Sequence, residues 1–448
     1  ATAGRFRLLL ARQRGNLPAV AEEARRLQAL TESPDAASAG LGEELRALAL
    51  INLGITEFWA ARLEEAEPHL AQGVALARRI GRPYLEFTGL ANQAALEMYQ
   101  SFARAAERSR QAVELARRHG WTDEPPAGIA YMLLANVLAW QGRLADAEGW
   151  LQRAERTVRA DAEPAAGLGV YYVRGVLELA RGRDADALAA FRAAERLAGL
   201  LAAPHLLVMR VRALLLHALV RMGELERAER TLADLGEQDR ERGEIRIARA
   251  ALRLAQHDTD AAAAALTPVL DGSAPVPPET WLPHAFMVEA TARDALGDAA
   301  AAGRALERAL DLAEPDSTLS AFLIHPAPAL LERYARHSTR HAALISEILD
   351  LLPRGYGGMA SPHARGSLGG SPPRLTEPLS QSEIRVLRYM PTNLSAPEIA
   401  RELSLSVHTV RTHIRHLFAK LGVHGRTEAV ARARALGLLA PSPSRRAS

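Results

Sequence analysis

Cysteine is absent from the 448 residues, which excludes disulfide scaffolds, thiolate zinc sites, iron–sulfur clusters and cysteine nucleophiles. Lysine is almost absent as well. Lys420 is the only one, and every other basic residue that carries permanent charge is arginine. A phosphate-binding loop of the form G-x-x-x-x-G-K-[ST] needs a lysine beside a glycine-rich turn, and none exists here. Lys420 sits in no motif that suits a kinase or a Schiff base. No apolar run approaches membrane-spanning length, and the opening ATAGRFRLLLARQRG lacks the small-residue cleavage site of a signal peptide. The expectation is a soluble cytoplasmic protein with no membrane partner. Ala1 leads straight into a helical pattern, so the chain is expected to be a fragment of something longer.

What is present is globular in kind, with 48% hydrophobic and 24% charged residues. The length exceeds one ordinary core and suggests two or three domains. The formal charge of +3 hides a division: residues 379–448 hold eleven Arg/Lys against four Asp/Glu, giving +7, so residues 1–378 carry 3 − 7 = −4. A basic surplus gathered at one end suits a segment that meets a polyanion.

Up to about Leu352 the pattern is almost entirely helical, with Ala, Leu, Arg and Glu dominant and apolar residues three and four apart. Nothing reads as a strand. Four segments share a glycine followed five residues later by alanine: Gly142 and Ala147, Gly182 and Ala187, Gly223 and Ala228, Gly297 and Ala302. Extending the register adds Ala66, Ala106 and Ala262, with spacings of 40, 41, 40, 41, 34 and 40. Four residues after each alanine stands a large apolar side chain (Leu70, Leu151, Phe191, Leu232, Leu266, Leu306), with Arg110 the exception. Such a period marks stacked helical hairpins. The glycine closes the first helix in a left-handed cap, and the alanine lets the two helices approach. The expected architecture is all-α: about eight hairpins over 1–352 in a right-handed superhelix, buried by stacking alone. The small–large–small pattern (Ala187, Phe191, Ala194) resembles tetratricopeptide-type repeats, at a period longer than the usual thirty-four. A Pro-rich stretch at 271–280 interrupts the array without ending it. Residues 353–378, rich in Gly, Pro and Ser, read as a flexible linker, and 441–448 as a disordered tail.

Residues 379–440 carry two capping boxes, Ser380 with Glu383 and Ser395 with Glu398. A third helix is capped by Ser406 and closed by Gly422, and a last one runs from about Arg426 to Leu436. In the third, Val407, Val410, Ile414, Leu417 and Leu421 are spaced 3, 4, 3 and 4 and form one stripe. His408, Arg411, Thr412 and Arg415 fall on the opposite side. A short helix, a tight turn and a helix with an apolar back and a basic front make a helix-turn-helix aimed at the major groove.

The stretch resembles the LuxR-type helix-turn-helix, in the version that ends MalT-type bacterial regulators. The matching residues are Leu379, Glu383, Val386-Leu387, Glu398-Ile399-Ala400, Leu403, Leu405-Ser406, Thr409-Val410, His413, Lys420-Leu421-Gly422-Val423, Arg426, Glu428-Ala429-Val430 and Gly437-Leu438. Ser382 and Gly425 depart from the family's usual basic residue and serine. The resemblance implies four helices, duplex DNA bound as a homodimer, and dimer contacts by the last helix. MalT-type regulators also join an ATP-binding module and a superhelix of period near forty, where some members bind an inducer. No such module is present here, although a longer parent could carry one.

The functional expectation is therefore a transcription regulator and not an enzyme. Arg411, Thr412 and Arg415 are expected to read bases, Ser395, Ser406, His408, Thr409 and Lys420 to meet the DNA backbone, and His416 to belong to the same DNA-binding set. The repeats sense a small molecule or a protein, and RNA polymerase is a further candidate partner. The rival reading is a repeat scaffold whose terminal domain mainly dimerises. Nothing calls for a cofactor or a metal: His413 and His416 are three apart, but no carboxylate or second histidine pair supports them. Trp59, Trp140, Tyr171, Tyr172 and Phe286 on first helices are read as inter-repeat core before ligand groove. Glu64-Glu65 and Asp184/Asp186 have no partner set resembling an acid–base pair.

Overall fold

Four glycines end the first helices of successive hairpins in the left-handed region, Gly142 and Gly182 at φ 73°, Gly223 at 75° and Gly297 at 76°. The amide after each folds back onto a carbonyl five residues earlier: Arg143 onto Leu138 at 2.8 Å, Arg183 onto Glu178 at 2.9 Å, Glu224 onto Leu219 and Asp298 onto Arg293 at 3.0 Å. That bond satisfies a carbonyl the helix end would leave open, and the partner helix starts two residues after the glycine.

The same turn forms where the register has no glycine. Ala61 (φ 61°) and His257 (φ 64°) stand five residues before Ala66 and Ala262. Their successors close the same bond, Arg62 onto Glu57 at 2.8 Å and Asp258 onto Arg253 at 2.9 Å. A residue with a Cβ is disfavoured in this conformation by about 1–2 kcal/mol. Hairpin packing holds both turns in it nonetheless.

The computed structural model describes residues 2–13, 16–31, 41–336 and 339–352, and, nearer the C-terminus, 383, 386–387, 389–390, 396–403, 405–421, 423 and 426–435. Among the described residues there are 23 helices and no strand. The chain divides into two compact units, Ala1–Met359 and Ala360–Ser448. The expected linker 353–378 and tail 441–448 lie outside the described residues.

In the first unit eight helix pairs follow one another, from Thr2–Gln13 with Leu17–Thr31 to Leu282–Ala295 with Ala299–Ala313. Four short helices complete it, Glu237–Arg240 between the sixth and seventh pairs and Ser320–Ile324, Pro328–Ala335 and Ala342–Leu351 after the eighth. Every alanine of the register is buried, and so is each large residue four positions on, from Leu70 to Leu306. The exception has a physical reason. The Phe102–His119 helix buries Phe102, Ala105 and Ser109, so its inward residue is Ser109 and Arg110 points to solvent.

A second small residue stands at the matching place on the first helix of several hairpins. Gly54 and Gly175 lie twelve positions before Ala66 and Ala187. A Cβ on Gly54 would come within 2.7 Å of Leu70, and one on Gly175 would run into the Phe191 ring. Buried Ala135 and Ala290 hold the matching places opposite Leu151 and Leu306.

Distant hairpins are also tied to each other. The Leu206 amide donates to the Trp59 carbonyl at 2.9 Å, and the Leu319 amide to the Trp140 carbonyl at 2.7 Å. Asp316 accepts from the Phe102 and Ala103 amides at 3.3 and 3.4 Å, and Arg221 donates to the carbonyls of Leu323 and Ile324. One buried apolar cluster accordingly runs from Phe58 to Val288 and takes in Ile324. Beside it lie two buried histidines and a half-buried third: His325 Nε2 is 3.1 Å from His284 Nδ1, and the His217 and His325 rings are 4.6 Å apart. Burial pushes His217 and His284 down to about 3 and His325 well below the usual imidazole range, so all three are neutral.

Candidate nucleic-acid interface

In the second unit two helices meet across a short turn. The Ala396–Leu403 helix ends where the Leu405 amide donates back to the Ala400 carbonyl at 2.9 Å. The next helix, Val407–Leu421, starts at once because Ser406 caps it. Ser406 Oγ accepts from the Thr409 amide at 3.0 Å and lies 2.7 Å from the Thr409 hydroxyl. The apolar stripe forms the back of this helix. Val410, Leu417 and Leu421 are buried, and half-buried Val407 and Ile414 pack on the same core with Val386, Ile399 and Val430.

The remaining side of the helix faces water. Arg415 and His416 are exposed, Thr409, Thr412 and His413 are half-buried, and Ser406 and Leu405 are exposed at the turn. Arg411 and His408 are on the same helix, but their side chains lie outside the described residues. Ser395 also lies outside them, as do Ser380, Ser382, Gly422 and Gly425. Arg415, Thr412 and His416 thus come from one helix whose opposite stripe is its anchor. Ser406 and Thr409 lie at that helix's start, where free backbone N–H groups favour an anion.

Lys420 was expected at a DNA backbone phosphate. Its ammonium donates to Glu383 Oε2 at 3.1 Å, with the side chains 19% and 4% exposed. The charge is at least partly committed inside the unit. Arg426 plays a related part: its Nε donates to the Met390 carbonyl at 3.0 Å and its Nη2 to that of Tyr389 at 2.8 Å. Both contacts pin the segment before the turn to the later helices. The sequence offered signals for neither beyond the family pattern, because they join residues 36 and 37 positions apart.

The residues singled out on the repeats separate. Trp59, Trp140 and Tyr172 line one cavity of about 90 Å³, together with Arg210. Tyr171 is 37% exposed and Phe286 is half-buried with the Arg308 guanidinium 5.9 Å from its ring, both away from that cavity. Asp184 forms an ion pair with Arg221 at 2.9 Å, while Asp186, Glu64 and Glu65 are exposed on first helical turns.

Comparison with known proteins matches each unit separately. A family model described as the MalT-like TPR region matches residues 3–337, well over half of the chain. A second, described as bacterial regulatory proteins of the luxR family, matches residues 377–433. The HTH-type transcriptional regulators MalT of Yersinia pestis (strain Pestoides F) and of Serratia proteamaculans (strain 568) are each 46% identical over 61 residues. That match covers 14% of this chain and 7% of either relative, so this chain matches well under a tenth of their length. Among the described residues no helix is long and apolar enough to cross a membrane.

Proposed function

The chain belongs to the MalT-like TPR-region family, and from that membership we propose a DNA-binding transcription regulator that docks through the Val407–Leu421 helix. The observation that carries the reading is the Ser406-capped helix with a buried stripe behind and Arg415 and His416 exposed in front. Arg411, Thr412 and Arg415 read base edges in the major groove. Ser395, Ser406, His408, Thr409 and His416 hold phosphates around the helix start and flank. The charge of +7 on residues 379–448 supports a polyanion partner. The protein binds as a homodimer through the Arg426–Ala435 helix, and the repeats over 1–352 sense an effector and signal to RNA polymerase. It works as a cytoplasmic protein and catalyses no reaction itself.

The test is binding of the chain to duplex DNA fragments over a range of salt concentrations, read by fluorescence anisotropy. A steep fall of affinity with salt is expected, together with loss of binding when residues 379–448 are removed. Salt-insensitive or absent DNA binding, with self-association retained, would favour a repeat scaffold whose terminal unit only dimerises.

A further inference from the structure

The cavity in the repeat unit has a chemistry of its own. Its walls are mostly apolar, with Trp59, Trp140 and Tyr172 among them, yet it also holds the buried guanidinium of Arg210. That cation lies over the Tyr99 ring, 4.7 Å from its centroid, and pairs with Glu244, but few of its N–H groups are hydrogen-bonded. One N–H reaches the Tyr99 hydroxyl at 2.7 Å, and the nearest carboxylate, Glu244, is 3.7 Å away and makes no hydrogen bond with it. No other hydrogen bond joins this guanidinium to a described residue. The Thr280 hydroxyl, 8% exposed by residue, also borders the cavity with no partner. The Tyr172 hydroxyl, in a residue 4% exposed, makes no hydrogen bond to a described residue either.

Donors therefore outnumber acceptors at this wall. Arg210 has only N–H groups to offer, Tyr172 and Thr280 each carry a free hydroxyl, and the two asparagines nearby are already engaged. Asn92 donates to the Thr88 carbonyl, and Asn136 accepts from the Trp140 indole. Buried donors without acceptors are costly, so the arrangement suits a guest that brings acceptor oxygens on an apolar body. Size narrows the guest further. About 90 Å³ is less than the roughly 150 Å³ of a hole that takes benzene, which leaves no room for a sugar chain or a nucleotide.

We propose that this cavity binds a short-chain aliphatic carboxylate, with the carboxylate on Arg210, Tyr172 and Thr280 and the carbon chain against Trp59 and Trp140. The proposal rests on the reading of the repeats as the sensing part and names the chemical class they sense. The carboxylate takes two charge-assisted hydrogen bonds from the guanidinium, and the carbon chain lies against the aromatic wall.

The probes are propanoate and its uncharged isostere propanamide, titrated into the full 448-residue chain. Calorimetry and tryptophan fluorescence read the binding, since two tryptophans line the cavity. Saturable binding is expected, at least about ten-fold tighter for the acid than for the amide. Arg210→Met should erase that preference, and Thr280→Val should weaken the acid by about three-fold. Ala166→Leu, which fills the cavity without touching a polar group, should abolish binding with helicity intact and serves if Arg210→Met does not fold. Equal affinity for acid and amide, no saturable binding, or wild-type binding by Ala166→Leu would each overturn the proposal. The readout involves no DNA. Failure here leaves the DNA-binding reading standing, and loss of DNA recognition beside intact acid binding sinks that reading alone.

Discussion

Lys420 donates to Glu383 at 3.1 Å, so the only lysine in the chain is held by a carboxylate that is itself almost fully buried. The pair bridges the segment ahead of the turn to the far end of the Val407–Leu421 helix. Removing the ammonium leaves a buried carboxylate short of a partner, which costs about 2 kcal/mol. Lys420→Ala should therefore raise hydrogen exchange across Val407–Leu421, and a Glu383→Gln/Lys420→Met double variant should recover much of the protection. Its effect on DNA binding separates two roles. An unchanged salt slope fits a charge spent on Glu383, whereas a slope lower by about one puts Lys420 on a phosphate.

Arg415 is the exposed arginine of the same helix whose side chain the structure describes. Arg415→Ala should weaken binding to the specific site by about 1–3 kcal/mol and relax the choice at one base pair. Anisotropy titrations against a panel of single-base variants measure both. Unaltered affinity and preference in a folded variant would assign this face to something other than the groove.

Ala61 and His257 hold left-handed turns that glycine holds elsewhere in the array. Ala61→Gly and His257→Gly should each stabilise the repeat unit by about 1 kcal/mol, the relief of the Cβ penalty less the chain entropy glycine adds. Urea denaturation followed by far-UV circular dichroism reads this as a higher midpoint at constant slope. A lower midpoint would mean that the Cβ of Ala61 or the ring of His257 contributes more packing than its turn costs.

Gly175 makes the opposite case, since an added Cβ meets the Phe191 ring. Gly175→Ala should destabilise by about 1–3 kcal/mol despite alanine's better helix propensity. Adding Phe191→Leu should return part of the loss. Independent, additive effects of the two changes would show that the helices do not press together there.

Acid should unfold the repeat unit earlier than a lysine-poor, helix-rich chain would suggest. His205 is pushed down to about 4 and His217 and His284 to about 3, all by burial. In each the folded value lies below the unfolded one of about 6.5, so the unfolded chain takes up protons first. Stability is thus unaffected above about pH 6.5 and falls as pH drops from there toward 4. Each histidine contributes a slope of up to about 1.4 kcal/mol per pH unit. Melting temperatures from pH 7.5 to 4.5 measure the slope, and His217→Phe should reduce it by one group. The Nε2 of that ring has no hydrogen bond to lose.

The alanine register was legible because it is local: a glycine, an alanine and a large residue recur within nine positions, and burial confirmed each of them but the Arg110 step. That step slipped because Ala105 and Ala106 look alike in sequence, and only packing selects Ser109. The glycines at 54 and 175 went unread because what they accommodate lies on the partner helix. In the second unit the stripe from Val407 to Leu421 follows from helical period alone. The Lys420–Glu383 and Arg426–Met390 contacts do not, since they join separate elements through chemistry that any exposed pair could offer.

The bonds from Leu206 to Trp59 and from Leu319 to Trp140 change what kind of object the array is. A stack in which every unit touches only its neighbours can fray from its ends and begin folding anywhere. Here two backbone hydrogen bonds join segments far apart in the chain, so the middle hairpins cannot open while the later segments stay docked. The chain must search for partners far along its own contour, which slows folding relative to a simple helical stack. In exchange, a disturbance at the Asp316–Ile324 stretch reaches the Phe102–His119 and Pro125–Trp140 helices in a single step, without travelling through the units between.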